Sequence, residues 1–177
     1  DLKYSSNFTL LIAVILSAQA TDKIVNEVTP SLFKKYPSPK SFILCGEKKL
    51  AHLIKRIGLA PTKAKNIIRS CQIILKIHNG IIPKTRDQLV RLPGVGRKTA
   101  NVVLNEAFGI PTIAVDTHVF RVANRTGLAK GMTVLETEKK LDGNLLKVSK
   151  IPVIKEKIQL YKKSLPSFLR LLKRYSF

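Results

Sequence analysis

Cysteine is scarce in this chain. Cys45 and Cys71 are its two thiols, too few for a disulfide framework and without metal-ligand spacing. With no such framework, a reducing cytosol fits better than a secreted setting. The opening Asp1-Leu2-Lys3 has neither an initiator Met nor the layout of a signal peptide. Long apolar runs are missing too. The stretch from Phe8 to Ala18 falls well short of the roughly 20 residues that span a bilayer, so it reads as a buried helix and no membrane partner is expected. The largest deficit is in acidic residues: 11 Asp and Glu stand against 32 Lys and Arg, a net charge of +21 over 177 residues. Each phosphate neutralised by Lys or Arg releases a condensed counterion, so the balance favours a polyanion, with nucleic acid as first candidate. A basic protein of another kind, such as a ribosome-associated one, has the same composition.

What is present is helix after helix, with no alternating strand pattern, no internal repeat and no low-complexity linker. At 45% apolar the chain can bury a core in one or two compact domains. Phe8 to Ala18 is apolar on nearly all sides and predicts a central core helix. Thr21 or Asp22 caps the next helix, which Pro30 is expected to interrupt and Pro37 and Pro39 to end. A helix from about Lys48 to Ile57 stops near Gly58. Pro61 and Thr62 open an amphipathic helix with Ala64, Ile67, Ile68, Cys71, Ile74 and Leu75 on one face, closed by Gly80. Cys71 is therefore read as a buried free thiol. Thr85 to Gln88 has the form of a capping box before a short helix ending near Leu92. A helix from about Arg97 buries Ala100, Val103, Leu104, Ala107 and Phe108. Ile110 to Val115 reads as extended. Asp116 then caps a helix to about Thr126, and Thr133 with Glu136 forms a second capping box.

Between two of these helices lies Leu92-Pro93-Gly94-Val95-Gly96, the pattern of a helix-hairpin-helix. Two glycines allow positive φ and close approach of a ligand to the backbone. Amides of the turn and of the following first turn then point outward at the positive end of a helix dipole, where a DNA phosphate can sit without any base being read. Gly94, Val95, Gly96 and Arg97 are the candidate DNA contacts. The same residues also suit an ordinary tight turn, and the hairpin alone says binding rather than cutting.

Lys98 falls in the first turn of the helix that the hairpin opens. Its ammonium faces the positive end of the dipole beside Arg97, and both favour the neutral amine that attacks carbon; partial desolvation acts the same way. Asp116 stands 18 positions on, at the N-cap of the next long helix, where a carboxylate is held ionised and oriented. Taken separately, Lys98 is also one more phosphate-facing lysine and Asp116 also just a cap.

The stretches Leu92–Asn105 and Pro111–Val122, together with Leu16-Ser17-Ala18-Gln19-Ala20-Thr21-Asp22 and Ile57-Gly58-Leu59, resemble the endonuclease III family of bifunctional DNA glycosylase/lyases in order and position. The resemblance runs from about Tyr4 to about Leu146. It implies an all-α fold, the helix-hairpin-helix DNA glycosylase fold, with a six-helix barrel (residues 1–110) and a reduced second helical domain (111–177). It implies a monomer acting in base excision repair on double-stranded DNA in the cytoplasm, at the nucleoid. A damaged, oxidised pyrimidine is flipped into a pocket. The Lys98 amine attacks C1′, the base leaves, a Schiff base forms, and β-elimination cuts 3′ to the abasic site. By the same resemblance Asp116 assists proton transfer and stabilises charge developing on the sugar. Gln19 and Leu59 match residues that fill the gap left by the flipped nucleotide, although without the family they read as surface loop. Lys98 also separates the chain from adenine-glycosylase relatives, which lack that lysine.

The sequence departs from the family toward its end. The match fades near Lys147, and no cysteine follows Cys71, so the four thiolates of the family's iron–sulfur cluster are absent and no metal or cofactor is expected. The match also begins late, without the family's first helix. From Lys147 on there are nine Lys/Arg and one acidic residue, Glu156, with Ile154, Ile158 and Tyr161 on one helical face before Pro166. This tail reads either as a basic cover for the domain or as a stretch without selected structure. The expectation drawn is a gene truncated or shifted in frame near codon 147. The alternative function is a non-catalytic or decayed helix-hairpin-helix DNA binder.

Overall fold

The structure is a computed structural model that describes residues 2–149, with side chains described through Asn144. The expectations for the tail, including the face shared by Ile154, Ile158 and Tyr161, lie outside the described residues. Among those described, all regular structure is helical. None of their helices is long and apolar enough to cross a membrane.

Two compact units divide the chain, one comprising Leu2–Ala114 and the other beginning at Val115. In the first, α1 (Asn7–Ser17) is the central element and packs against α2 (Asp22–Lys35), α5 (Ala60–His78) and α7 (Arg97–Phe108). Its residues Phe8 to Leu16 are all buried, which is what an element apolar on every side requires. Its start is fixed by a cap that hydropathy alone does not reveal: the Ser6 side chain accepts from the Thr9 amide, and Thr9 Oγ1 accepts from the Ser6 amide. Helices α3 (Pro39–Cys45) and α4 (Glu47–Leu53) pack on α5, and Phe42 closes that end of the core with edge-on contacts to Phe8 and Tyr36. The one-turn α6 (Arg86–Leu89) is capped by Thr85, which accepts from the Gln88 amide.

Pro30 does not interrupt its helix as expected. Helix α2 runs through it to Lys35. The residue is exposed, so the ring sits on the solvent side and the amide it removes is not one that would be buried without a partner. The apolar face of α5 also differs in detail from the sequence reading. Leu75 lies at its rim with 36% exposure, whereas Lys63 and Ser70 are inside. In α7 the buried set includes Asn101 alongside Ala100, Val103 and Leu104.

Asn101 and its neighbours hold the segment that follows. The Asn101 side-chain amide donates to the Ile113 carbonyl (3.0 Å), the Thr112 hydroxyl donates to the Asn101 carbonyl (2.8 Å), and the Asn105 amide donates to the Thr112 carbonyl (3.1 Å). The Thr112 and Ile113 carbonyls are thus satisfied by side chains of α7 rather than by a neighbouring strand.

In the second unit α8 (Thr117–Thr126) packs on α9 (Val134–Ser149). Thr133 caps α9 by accepting from the Glu136 amide. The return arm of this box reaches one residue further back, where Glu136 accepts from the Met132 amide at 3.0 Å and pairs with Lys140 at 2.7 Å. Gly131 lies tight against this cap: an added Cβ would meet Thr137 Oγ1 at 2.6 Å and its backbone nitrogen at 2.8 Å.

Candidate nucleic-acid interface

The hairpin is a type II turn. The Val95 amide donates to the Leu92 carbonyl at 3.0 Å, with Pro93 first and Gly94, at φ +82°, second of the two central positions. Gly94 is needed on two counts. Its φ suits glycine, and an added Cβ would lie 3.2 Å from Asn66 Cβ and 3.5 Å from Ile15 Cγ2. Helix α5 grips the turn from below as well, through the fully buried Ser70, whose hydroxyl donates to the Pro93 carbonyl at 2.8 Å. Val95 is buried at 5% exposure and anchors the turn in the core. Gly94, Gly96, Arg97 and Lys98 are all exposed. The turn is therefore rigid below and open above, as a backbone platform for an anion requires.

Helix α7 starts from this turn with Gly96 as its N-cap and no side-chain cap. Its first turn contains no acidic residue and places Arg97 and Lys98 where the dipole disfavours cations. Helices α1, α3, α5 and α8 likewise have no acid there, whereas α2, α4 and α6 carry one. What α7 adds is the adjacent exposed pair Arg97 and Lys98, a charge that an external anion would complement. The exposure of Lys98 corrects the expectation of partial desolvation: any desolvation of that amine must come with the bound substrate. In the second unit Asp116 is half-buried and is the N-cap of α8, its Oδ1 accepting from the Val119 amide at 2.9 Å. This cap fixes the carboxylate's orientation.

Gln19 and Leu59 carry a signal that sequence reading missed. Three non-glycine residues among those described have positive φ, and two of them are Gln19 (56°) and Leu59 (61°). The third, Asn79, is the ordinary left-handed C-cap of α5. Gln19 is the second central residue of a type II turn closed by the Ala20 amide donating to Ser17, after Ala18 at φ −57°, ψ 117°. Glycine is the usual occupant of that position. Leu59 is the N-cap of α5 and leaves 58% of its surface exposed. An L-residue held left-handed costs on the order of 1–2 kcal/mol. Neither side chain is repaid by burial.

The thiols do not fit a four-thiolate cluster. Cys45 on α3 and Cys71 on α5 are both buried and free, and burial pushes the Cys71 thiol up to about 12. Among the described residues no group of three or more His, Cys, Asp or Glu is placed to hold a metal ion.

Residues 12–146 match the model of the HhH-GPD superfamily base excision DNA repair protein. The chain is 57% identical over 141 residues to endonuclease III of Rickettsia prowazekii, covering 80% of this chain and 66% of that one. It is 55% identical over 141 residues to endonuclease III of Escherichia coli K12, covering 80% and 67%. Among solved structures it resembles a trapped endonuclease III–DNA covalent intermediate, with a TM-score of 0.74 and 51% identity over 79% of this chain and 66% of that one. The chain thus spans about two thirds of the length of the proteins it matches. It belongs to the HhH-GPD superfamily of base excision DNA repair proteins, and within it to the endonuclease III family.

Proposed function

We propose that this chain is a monomeric base excision repair enzyme, a DNA glycosylase/AP lyase that works on double-stranded DNA at the nucleoid. Its substrate is an oxidised pyrimidine, and it cleaves the strand 3′ to the resulting abasic site by β-elimination. The observation that carries this reading is the hairpin turn, gripped from below by α5 and open above, with Lys98 exposed one residue into the helix it starts. The 51% identity to a protein trapped covalently on DNA supports it.

The roles follow from the chemistry of the groups. Backbone at Gly94, Val95 and Gly96, with Arg97, receives a phosphate and registers the enzyme on the duplex without reading sequence. Gln19 and Leu59 enter the space vacated when the damaged nucleotide is flipped. The Lys98 amine forms a bond to C1′, and the electrons of the breaking glycosidic bond leave with the base, which takes up a proton. The new secondary ammonium loses a proton, its nitrogen lone pair forms the C=N bond as the C1′–O4′ bond breaks, and O4′ takes up a proton, giving the ring-opened Schiff base. Removal of a C2′ proton then expels the 3′ phosphate. Asp116, oriented by its cap, moves protons and offsets the positive charge that develops on the sugar.

Borohydride trapping of the purified chain on duplex DNA with an abasic site tests the reading, because reduction of the Schiff base makes the adduct permanent. The expected result is a covalent adduct that Lys98→Ala abolishes while duplex binding persists. A folded, DNA-binding chain that gives no adduct would replace this reading with that of a binding protein.

A further inference from the structure

Lys63 is a charged side chain in a place where charge is costly. It is 5% exposed, and burial lowers its pKa from the ordinary lysine value. Its ammonium donates to the Leu16 carbonyl at 2.9 Å. Leu16 lies in the last turn of α1, a turn that contains no basic residue of its own. A helix C-terminus leaves carbonyls without intrahelical donors and carries partial negative charge. Here the Ser17 hydroxyl donates to Val14 (2.9 Å), the Ala20 amide donates to Ser17 (3.0 Å), and Lys63 serves Leu16 across 47 positions of sequence.

That placement joins two loops. The Leu16 carbonyl is three residues before Gln19, at the base of its strained type II turn. The backbone amide of Lys63 donates to the Leu59 carbonyl at 2.9 Å, closing the first turn of α5 behind the left-handed Leu59. One residue therefore holds the Gln19 turn with its side chain and the Leu59 corner with its backbone. We propose that Lys63 is a positioning residue that keeps Gln19 and Leu59 in fixed register as a pair, so that both enter the gap in the duplex together.

This rests on the reading of Gln19 and Leu59 as gap-filling residues, and the test separates the two. Affinity is measured for duplex carrying a tetrahydrofuran abasic analogue and for undamaged duplex of the same sequence. A 2-aminopurine opposite the analogue reports insertion by its fluorescence. The proteins are the full chain, Lys63→Met, Gln19→Ala and the double variant, each with a melting curve. Lys63→Met is expected to reduce the preference for the abasic duplex about tenfold, the scale of a lost charged hydrogen bond, and to weaken the fluorescence change. Affinity for undamaged duplex, set by phosphate contacts elsewhere, should hold. In the Gln19→Ala background the lysine substitution should add little, because the two act through one turn. The cycle is run in parallel with Lys63→Gln, so that a fold lost in one variant is read in the other. Wild-type preference and fluorescence in a folded Lys63 variant overturn the proposal, as do losses that simply multiply in the double variant. If Gln19→Ala alone leaves the preference intact, the gap-filling reading fails, and the proposal with it.

Discussion

Gly127 and Gly94 provide a matched pair for separating strain from fit. Both have positive φ, +74° and +82°, but a Cβ at Gly127 would meet Lys130 Cε at an ordinary 3.8 Å whereas one at Gly94 would press on Asn66. Gly127→Ala should lose only the backbone term, about 1 kcal/mol, while Gly94→Ala should lose about 1–3 kcal/mol. The second substitution also moves the turn off its seat on α5, so duplex affinity should fall with it and stay unchanged in Gly127→Ala. Melting curves and duplex binding of the two variants check this. Equal losses would mean that contact with Asn66 contributes nothing to holding the hairpin. Residues that combine strain with exposure, Gln19 and Leu59, invert the usual economy of a fold.

Helix α5 organises the first unit, because one face of it meets α3, α4 and α1 and also seats the hairpin. Cys71 lies at 0% exposure in the middle of that face, its thiol raised from 9.0 to about 12 by burial. Below the unfolded-state value the thiol is protonated in both states and adds no pH dependence. Above it the unfolded chain releases the proton while the folded chain keeps it, so stability falls as pH rises through 9.0 toward about 12. The stability gap between the chain and Cys71→Ala should therefore shrink above pH 9.0, by at most about 1.4 kcal/mol per pH unit. A gap that stays constant up to pH 10.5, about 1.5 units above that value, would show that the thiol is not held neutral.

The same helix shows what was legible in the sequence. Its span, its proline start and its end at Asn79 and Gly80 follow from local signals, as do the order of the helices and the hairpin between them. Buried polar residues were not read, although their spacing was there to see. Positions 63, 67, 70 and 74 recur at helical intervals along the apolar stripe, so Lys63 and Ser70 fall on the inner face with Ile67 and Ile74. What the sequence does not display is their partners, the Leu16 and Pro93 carbonyls, which come from distant segments. Asn101 was hidden for the same reason, since its partners lie in a stretch that reads as extended. At the site, the hairpin and the placement of Lys98 and Asp116 at helix starts were readable because turn and cap chemistry are local. The left-handed backbone of Gln19 and Leu59 was not, because nothing in either residue type favours it.

Over the whole molecule the net charge of +21 argues for a polyanion but does not locate where one binds, since cations are spread along the chain. Lys48 is exposed on α4 and Arg97 at the start of α7, yet only Arg97 belongs to the proposed interface. Salt dependence separates the two. For duplex DNA the logarithm of the binding constant falls with the logarithm of salt concentration, with a slope of about −0.9 per phosphate neutralised. If the hairpin is the phosphate platform, Arg97→Ala should reduce the steepness of that slope by about one phosphate and weaken binding alike for damaged and undamaged duplex. Lys48→Ala changes net charge equally and should leave the slope unmoved. Titrations of each variant from low to moderate salt decide the matter. Equal changes in both would mean that the duplex responds to a diffuse positive field, and the hairpin would lose its claim to be the docking point. A change confined to Arg97 would place a phosphate at the N-terminus of α7, beside the lysine proposed to react.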